Sequence, residues 1–194
     1  MTRRHRPADE TREHVLEITD RLFYNNGIHA TGIDQVAREA EVAPTTLYRL
    51  FGSKDGLVAA YVENADQRTR AWFERATEDA ESGTDAIRAI FDALGDNTRE
   101  DDFRGCACQL AFAEYPDPDA LAHQLSATAK QWVVDRFTLH LASADAPADR
   151  KRAAAESLAL LVEGTLASAG TLGPDGPARQ ARPLADLVLD SLER

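Results

Sequence analysis

The stretch Gly32-Ile33-Asp34-Gln35-Val36-Ala37-Arg38-Glu39-Ala40-Glu41-Val42-Ala43-Pro44-Thr45-Thr46-Leu47-Tyr48-Arg49-Leu50-Phe51 decides the fold. It reads as two short amphipathic helices joined by a tight turn. Ile33, Val36, Ala37 and Ala40 share one face of the first, at helical spacing. Glu41-Val42-Ala43 forms the turn, and Pro44 opens the second helix, where its missing N–H leaves nothing unpaired. Leu47, Leu50 and Phe51 face inward, and Ala37 is small where the two helices cross. This spacing predicts a helix-turn-helix, a unit that presents its second helix to the DNA major groove.

The outward face of that second helix suits the task. Thr45 and Thr46 lie four and three residues before Arg49 and share its face, with Tyr48 beside them. Arginine can bond guanine bidentately, and a threonine methyl can pack on a thymine methyl. Thr31 before the first helix and Lys54 after the second are placed for backbone phosphates. The arm Arg3, Arg4, Arg6 could follow a groove. The plain alternative is a solvated helix pair with no partner.

Helical periodicity continues outward on both sides, and no stretch alternates as a strand does. A first helix is predicted over about 8–26, stopped by Asn25-Asn26-Gly27. Ser53 reads as the N-cap of a long helix to about Glu81. Thr84 or Asp85 caps the next, to about Asn97. Further helices are expected over about 105–114, 119–142, 149–170 and a last one to about Leu192, kinked or restarted at Pro183. The expected fold is all-α, with about nine helices.

Residues from about Val15 to Leu57 resemble the DNA-binding domain of TetR-family transcriptional regulators. The likeness rests on Leu22-Phe23 with Gly27, Ala30-Thr31, Ile33-Asp34-Gln35-Val36-Ala37, the run from Val42 to Phe51, and Ser53-Lys54-Asp55-Gly56-Leu57. It implies phosphate contacts at Thr31, Tyr48 and Lys54, and a recognition helix opened by Pro44 with Thr45, Thr46 and Arg49 at or near bases. It also implies two domains, 1–55 for DNA and 56–194 for effector binding and dimerisation. Two positions depart from the family pattern. Glu41 stands where the turn usually has glycine, which costs about 1 kcal/mol if φ is positive there. Leu50 replaces a frequent histidine.

Beyond residue 60 the likeness is architectural. Leu158, Leu161, Val162, Thr165 and Ala169 form one apolar stripe, and Leu184, Leu187 and Val188 another; both are expected at a homodimer interface or in an ordinary core. Gly164, Ala167 and Ser168 are small enough for close helix approach. Phe91, Phe103, Cys106, Leu110, Tyr115, Trp132 and Phe137 are candidates to line an effector pocket, with Gln109, His123 and His140 as polar groups, or else to fill a core. Cys106, beside Arg104 at a helix start, is a candidate reactive thiol; Cys108 points elsewhere.

The 194 residues carry a net charge of −11, which taken whole argues against a polyanionic partner. Segmented, residues 1–55 hold eight Lys+Arg against nine Asp+Glu, and 56–194 hold fourteen against twenty-four. The acid therefore belongs to the C-terminal part. No apolar run approaches the ~18 residues of a membrane span, and no secretory signal follows the basic start, so a cytoplasmic protein is expected. Gly-x-Ser-x-Gly, a phosphate-binding Gly-rich loop and His-Glu-x-x-His are all missing. Two cysteines without spaced partners do not make a zinc site. The expectation is a non-enzymatic, ligand-responsive regulator, with no cofactor or metal, that binds a palindromic double-stranded DNA operator, acts as a repressor and is released by a small molecule. The competing reading is an all-α small-molecule-binding protein or enzyme whose N-terminal helices are structural.

Overall fold

A computed structural model of the chain describes residues 7–192. The basic arm Arg3, Arg4, Arg6 lies outside the described residues. Nine α-helices and one 3-10 turn carry the described chain, and no strand occurs among those residues. They are α1 (Ala8–Asn26), α2 (Ile33–Glu39), α3 (Pro44–Phe51), α4 (Lys54–Ala76), α5 (Gly83–Asn97), α6 (Ala107–Glu114), α7 (Leu121–His140), α8 (Ala148–Leu172) and α9 (Ala181–Asp190). The 3-10 turn spans Pro177–Gln180.

Local chemistry explains most boundaries. Gly27 ends α1 at φ 92°, its N–H bonded to the Phe23 carbonyl. Ser53 caps α4, its hydroxyl accepting the Gly56 N–H at 3.0 Å. Three details differ from the sequence reading. The helix α4 stops at Ala76 rather than near Glu81, because Thr77 folds its hydroxyl onto the Phe73 carbonyl at 2.9 Å and its N–H onto Glu74. The cap of α5 is Ser82, which accepts the Asp85 N–H, not Thr84 or Asp85. Pro183 is not the point at which the last helix restarts, which is Ala181 after the 3-10 turn. The proline is the third residue of α9, in the first turn, where its N–H would have had no intrahelical partner.

The described chain divides into two compact units that do not follow chain order. The first joins the residues up to Gln67 with Ala107–Ser126; the second joins Arg68–Cys106 with the residues from Ala127 onward. In the first, α1 packs on α2 and α2 on α3 around Val15, Phe23, Ile28, Val36, Ala37 and Leu47, all buried. Phe23 meets Tyr61 edge-on at 5.4 Å. In the second, α9 packs on α5 and α8. Its core includes Phe73, Ile87, Ile90, Phe91, Phe137 and Leu158. Arg88 and Arg182 tie α5 to α9: Arg88 Nε bonds Asp186 at 3.0 Å, and Arg182 reaches both Asp92 and Asp186.

Glu41 is the only non-glycine residue with positive φ among those described, at 54°. The turn thus demands the conformation that glycine adopts without steric cost. Glu41→Gly should raise stability by about 1 kcal/mol, or about 2–4 °C in melting temperature by circular dichroism. An unchanged or lower melting temperature would show that the Glu41 side chain compensates for its backbone.

Candidate nucleic-acid interface

The recognition face is built from a helix with one side sunk and the other free. Leu47 is 1% exposed and anchors α3 on the buried Val36–Ala40 side of α2. That burial, worth about 1.5–3 kcal/mol for one leucine, fixes the rotation of α3 about its axis. Thr45, Tyr48 and Arg49 are consequently exposed, Tyr48 at 53%, and Thr46 is half-buried beside them. Pro44 occupies the first turn, after Ala43 as cap. Leu50 and Phe51 are half-buried, and the Arg12 guanidinium lies over the Phe51 ring at 5.2 Å. Lys54 begins α4 and is half-buried.

Thr31 is placed differently from the expectation. It is fully buried, its hydroxyl donated to the Gly27 carbonyl at 2.8 Å and its N–H to Ile28. Its side chain locks the α1–α2 turn rather than offering a hydroxyl to a phosphate.

That turn is held by a residue the sequence reading missed. Glu114, the last residue of α6, accepts the N–H of Ile28 at 2.7 Å and of His29 at 2.6 Å, one on each carboxylate oxygen. His29 Nε2 lies 2.9 Å from the Glu114 carbonyl oxygen, and the His29 ring stacks on Tyr115 at 5.0 Å. Charge-assisted bonds of this kind are roughly twice as strong as neutral ones. No signal within either segment could have found a pairing across 86 positions.

The other candidates separate by environment. Phe91 and Phe137, expected at a pocket wall, stack on each other at 6.0 Å inside the core. Trp132 is half-buried, with the Arg70 guanidinium 4.8 Å and the Arg136 guanidinium 5.8 Å from its ring centre. Phe103 and Cys106 are half-buried in the loop before α6. Leu110 and Tyr115 belong to the first unit and the other five to the second. Burial, then Asp55 and Glu114, raises the Tyr115 phenol above its ordinary value. Burial, then Arg136, lowers the His140 imidazole, whose Nε2 has no hydrogen-bond partner. Gln109 is exposed, and His123 lies 3.2 Å from the Tyr115 carbonyl. Asp117 accepts the Asp119 N–H at 3.0 Å, in a turn before α7.

On α8 the expected interface stripe faces inward. Leu158, Val162, Thr165 and Ala169 are buried within the chain itself and Leu161 packs beside them. The open side of α8 carries Leu160, 72% exposed, with Gly164 and Ala167. On α9, Leu184 and Leu187 are exposed at 42% and 59%, and Val188 is half-buried.

A helix-turn-helix with its inner side packed and its second helix presented defines a DNA-binding transcriptional regulator. The profile of the bacterial regulatory proteins of the tetR family matches residues 15–61. SCO4454, a TetR-family transcriptional regulator from Streptomyces coelicolor, has a similar structure, with a TM-score of 0.89 and 33% identity over 96% of this chain and 97% of that one. The chain belongs to the TetR family. Among curated relatives, the HTH-type transcriptional activator FasR of Mycolicibacterium smegmatis is 32% identical over 92 residues, 45% of this chain but only 42% of FasR. The HTH-type transcriptional regulator YjdC of Escherichia coli is 25% identical over 156 residues, 80% of this chain and 81% of YjdC. Among the described residues, no helix is long and apolar enough to cross a membrane.

Proposed function

We propose that this regulator is a homodimeric repressor that reads a palindromic operator and is released by a small molecule. The observation that carries the reading is the exposed face Thr45, Tyr48 and Arg49 on a helix held by buried Leu47. Arg49, with Thr45 and Thr46, takes the bases; Tyr48 and Lys54 take phosphates. The exposed leucines 160, 184 and 187, beside Gly164 and Ala167, support a dimer through α8 and α9. One recognition helix per subunit would then read one half-site. The half-buried Phe103 and Trp132 of the second unit support an apolar effector, whose differential affinity for two dimer geometries would drive release. Glu114 supplies a route, because a shift of α6 pulls directly on the backbone before α2.

Gel shifts on the protein's own upstream DNA test the reading. Arg49→Ala should relax base preference by about 1–3 kcal/mol at one position of each half-site, whereas Lys54→Ala should weaken all sequences alike and reduce the salt slope by about one. Equal losses on every sequence for both variants would refute the division of labour. The absence of any palindrome-specific shift would refute operator reading itself.

A further inference from the structure

Cys106 does not stand alone. Lys130 of α7 points its ammonium at the Cys106 sulfur, Nζ to Sγ 3.0 Å. Glu163 of α8 brackets the same ammonium, at 2.8 Å and 2.9 Å to its two oxygens. All three belong to the second unit. Lys130 and Glu163 retain 30% and 27% of their side-chain exposure, and Cys106 is half-buried, so a small molecule can reach the group. Burial draws the Lys130 ammonium down, but Cys106 and Glu163 outweigh it and hold it above the ordinary lysine value. The lysine therefore stays charged beside the sulfur. A fixed cation in contact with sulfur favours the thiolate, which is the nucleophilic form. Cys108, two positions on, is buried at 3% exposure and serves as an internal control.

Glu163 chelates the ammonium with both oxygens, which fixes its position against the sulfur while leaving it a proton to give. We propose that Cys106, Lys130 and Glu163 form a covalent effector site for α,β-unsaturated carbonyl compounds. The Cys106 thiolate adds to the β-carbon, forming a carbon–sulfur bond as the carbon–carbon π bond breaks. The displaced electron pair becomes an enolate, which takes a proton from the Lys130 ammonium; Lys130 regains one from water. The sum is addition of a thiol across an alkene, with no oxidant. Cys106 directly precedes α6, whose far end is the Glu114 grip on the α1–α2 turn. The regulatory consequence rests on the DNA-binding reading above; the chemistry does not.

The full chain is treated with acrylamide at pH 7 and adducts are mapped by peptide mass spectrometry. Cys106 should react at least about threefold faster than glutathione and than Cys108, because a larger thiolate fraction is partly offset by a less nucleophilic sulfur. Lys130→Gln should slow Cys106 about threefold and Lys130→Arg should restore most of the rate, with circular dichroism confirming folding. Simple loosening of the site would instead speed the reaction in Lys130→Gln. A Cys106 no faster than glutathione, or a Lys130→Gln rate equal to or above the parent's, overturns the site. Uniformly alkylated protein should lose at least tenfold in affinity for the upstream DNA fragment, and Cys106→Ser should be insensitive. An adduct that leaves affinity unchanged overturns the effector role. Failure of the unmodified protein to bind DNA counts against the operator reading instead.

Discussion

Gly56→Ala should destabilise the protein by about 3 kcal/mol, lowering its melting temperature by about 6–12 °C. Intrinsic propensity says the opposite. Gly56 lies in the first turn of α4, and alanine is the better helix former by about 1 kcal/mol. Geometry decides the sign. A methyl at Gly56 would sit 2.0 Å from the Phe51 carbonyl oxygen, a backbone atom that cannot swing away. Either α4 slides along the α3–α4 turn or the cap made by Ser53 opens. Both displace Lys54, two residues upstream, so phosphate contact should suffer along with stability. Gly95→Ala is the matched control. Gly95 lies inside α5 with nothing within 4 Å of the added methyl, and this variant should gain about 0.5–1 kcal/mol. Calorimetry on the pair checks both signs. Similar melting temperatures for the two would show that α4 accommodates the methyl without cost.

How far the sequence could be read follows from the range of the forces involved. The recognition unit was legible because its signals are local. Pro44, Ser53 and Gly27 act within one helical turn, and the apolar positions that sink α2 and α3 recur every three or four residues. The positive φ at Glu41 was suggested only by the resemblance, whose turn usually has glycine there. Thr31 was misplaced because a threonine before a helix can either cap the turn with its hydroxyl or expose it, and both fit the same spacing. The Glu114 grip and the Lys130–Cys106 contact were invisible, as each depends on how distant helices come to lie together.

The choice left open on α8, between interface and core, has a different cause. That helix is rich in alanine and other small residues, so it offers two sides of nearly equal apolarity. Leu158 and Val162 define one, Leu160 with Gly164 and Ala167 the other. Periodicity finds both stripes but cannot tell which faces the subunit's own core. Only the packing of α9 against α8 and α5 resolves that choice. On α9 the exposed side is marked by Leu184 and Leu187, because its inner side, Ala181, Ala185 and Leu189, is fully buried.

Phe137→Ala should cost about 3–5 kcal/mol, and its effect separates a core residue from a pocket wall. Phe137 is 0% exposed, with Phe91 stacked at 6.0 Å and 19° and Phe73 edge-on at 6.0 Å and 68°. Truncation removes the ring that Phe73 and Phe91 both touch, and Val133 on the same helix and Leu141 just past its end cannot move to replace it. The penalty therefore combines lost apolar transfer with an unfilled cavity. A ring bordering an open pocket would have atoms on one side only, and its loss would cost much less. Phe103→Ala provides that comparison: Phe103 is half-buried in the loop before α6 and should cost less than about 1.5 kcal/mol. Urea denaturation of both variants, with slopes checked for two-state behaviour, measures the difference. A Phe137→Ala loss below about 1.5 kcal/mol would return this ring to the candidate pocket wall and move the proposed effector site toward the centre of α7. A loss in the expected range leaves the half-buried Phe103, Cys106 and Trp132 as the second unit's candidates for the proposed effector site.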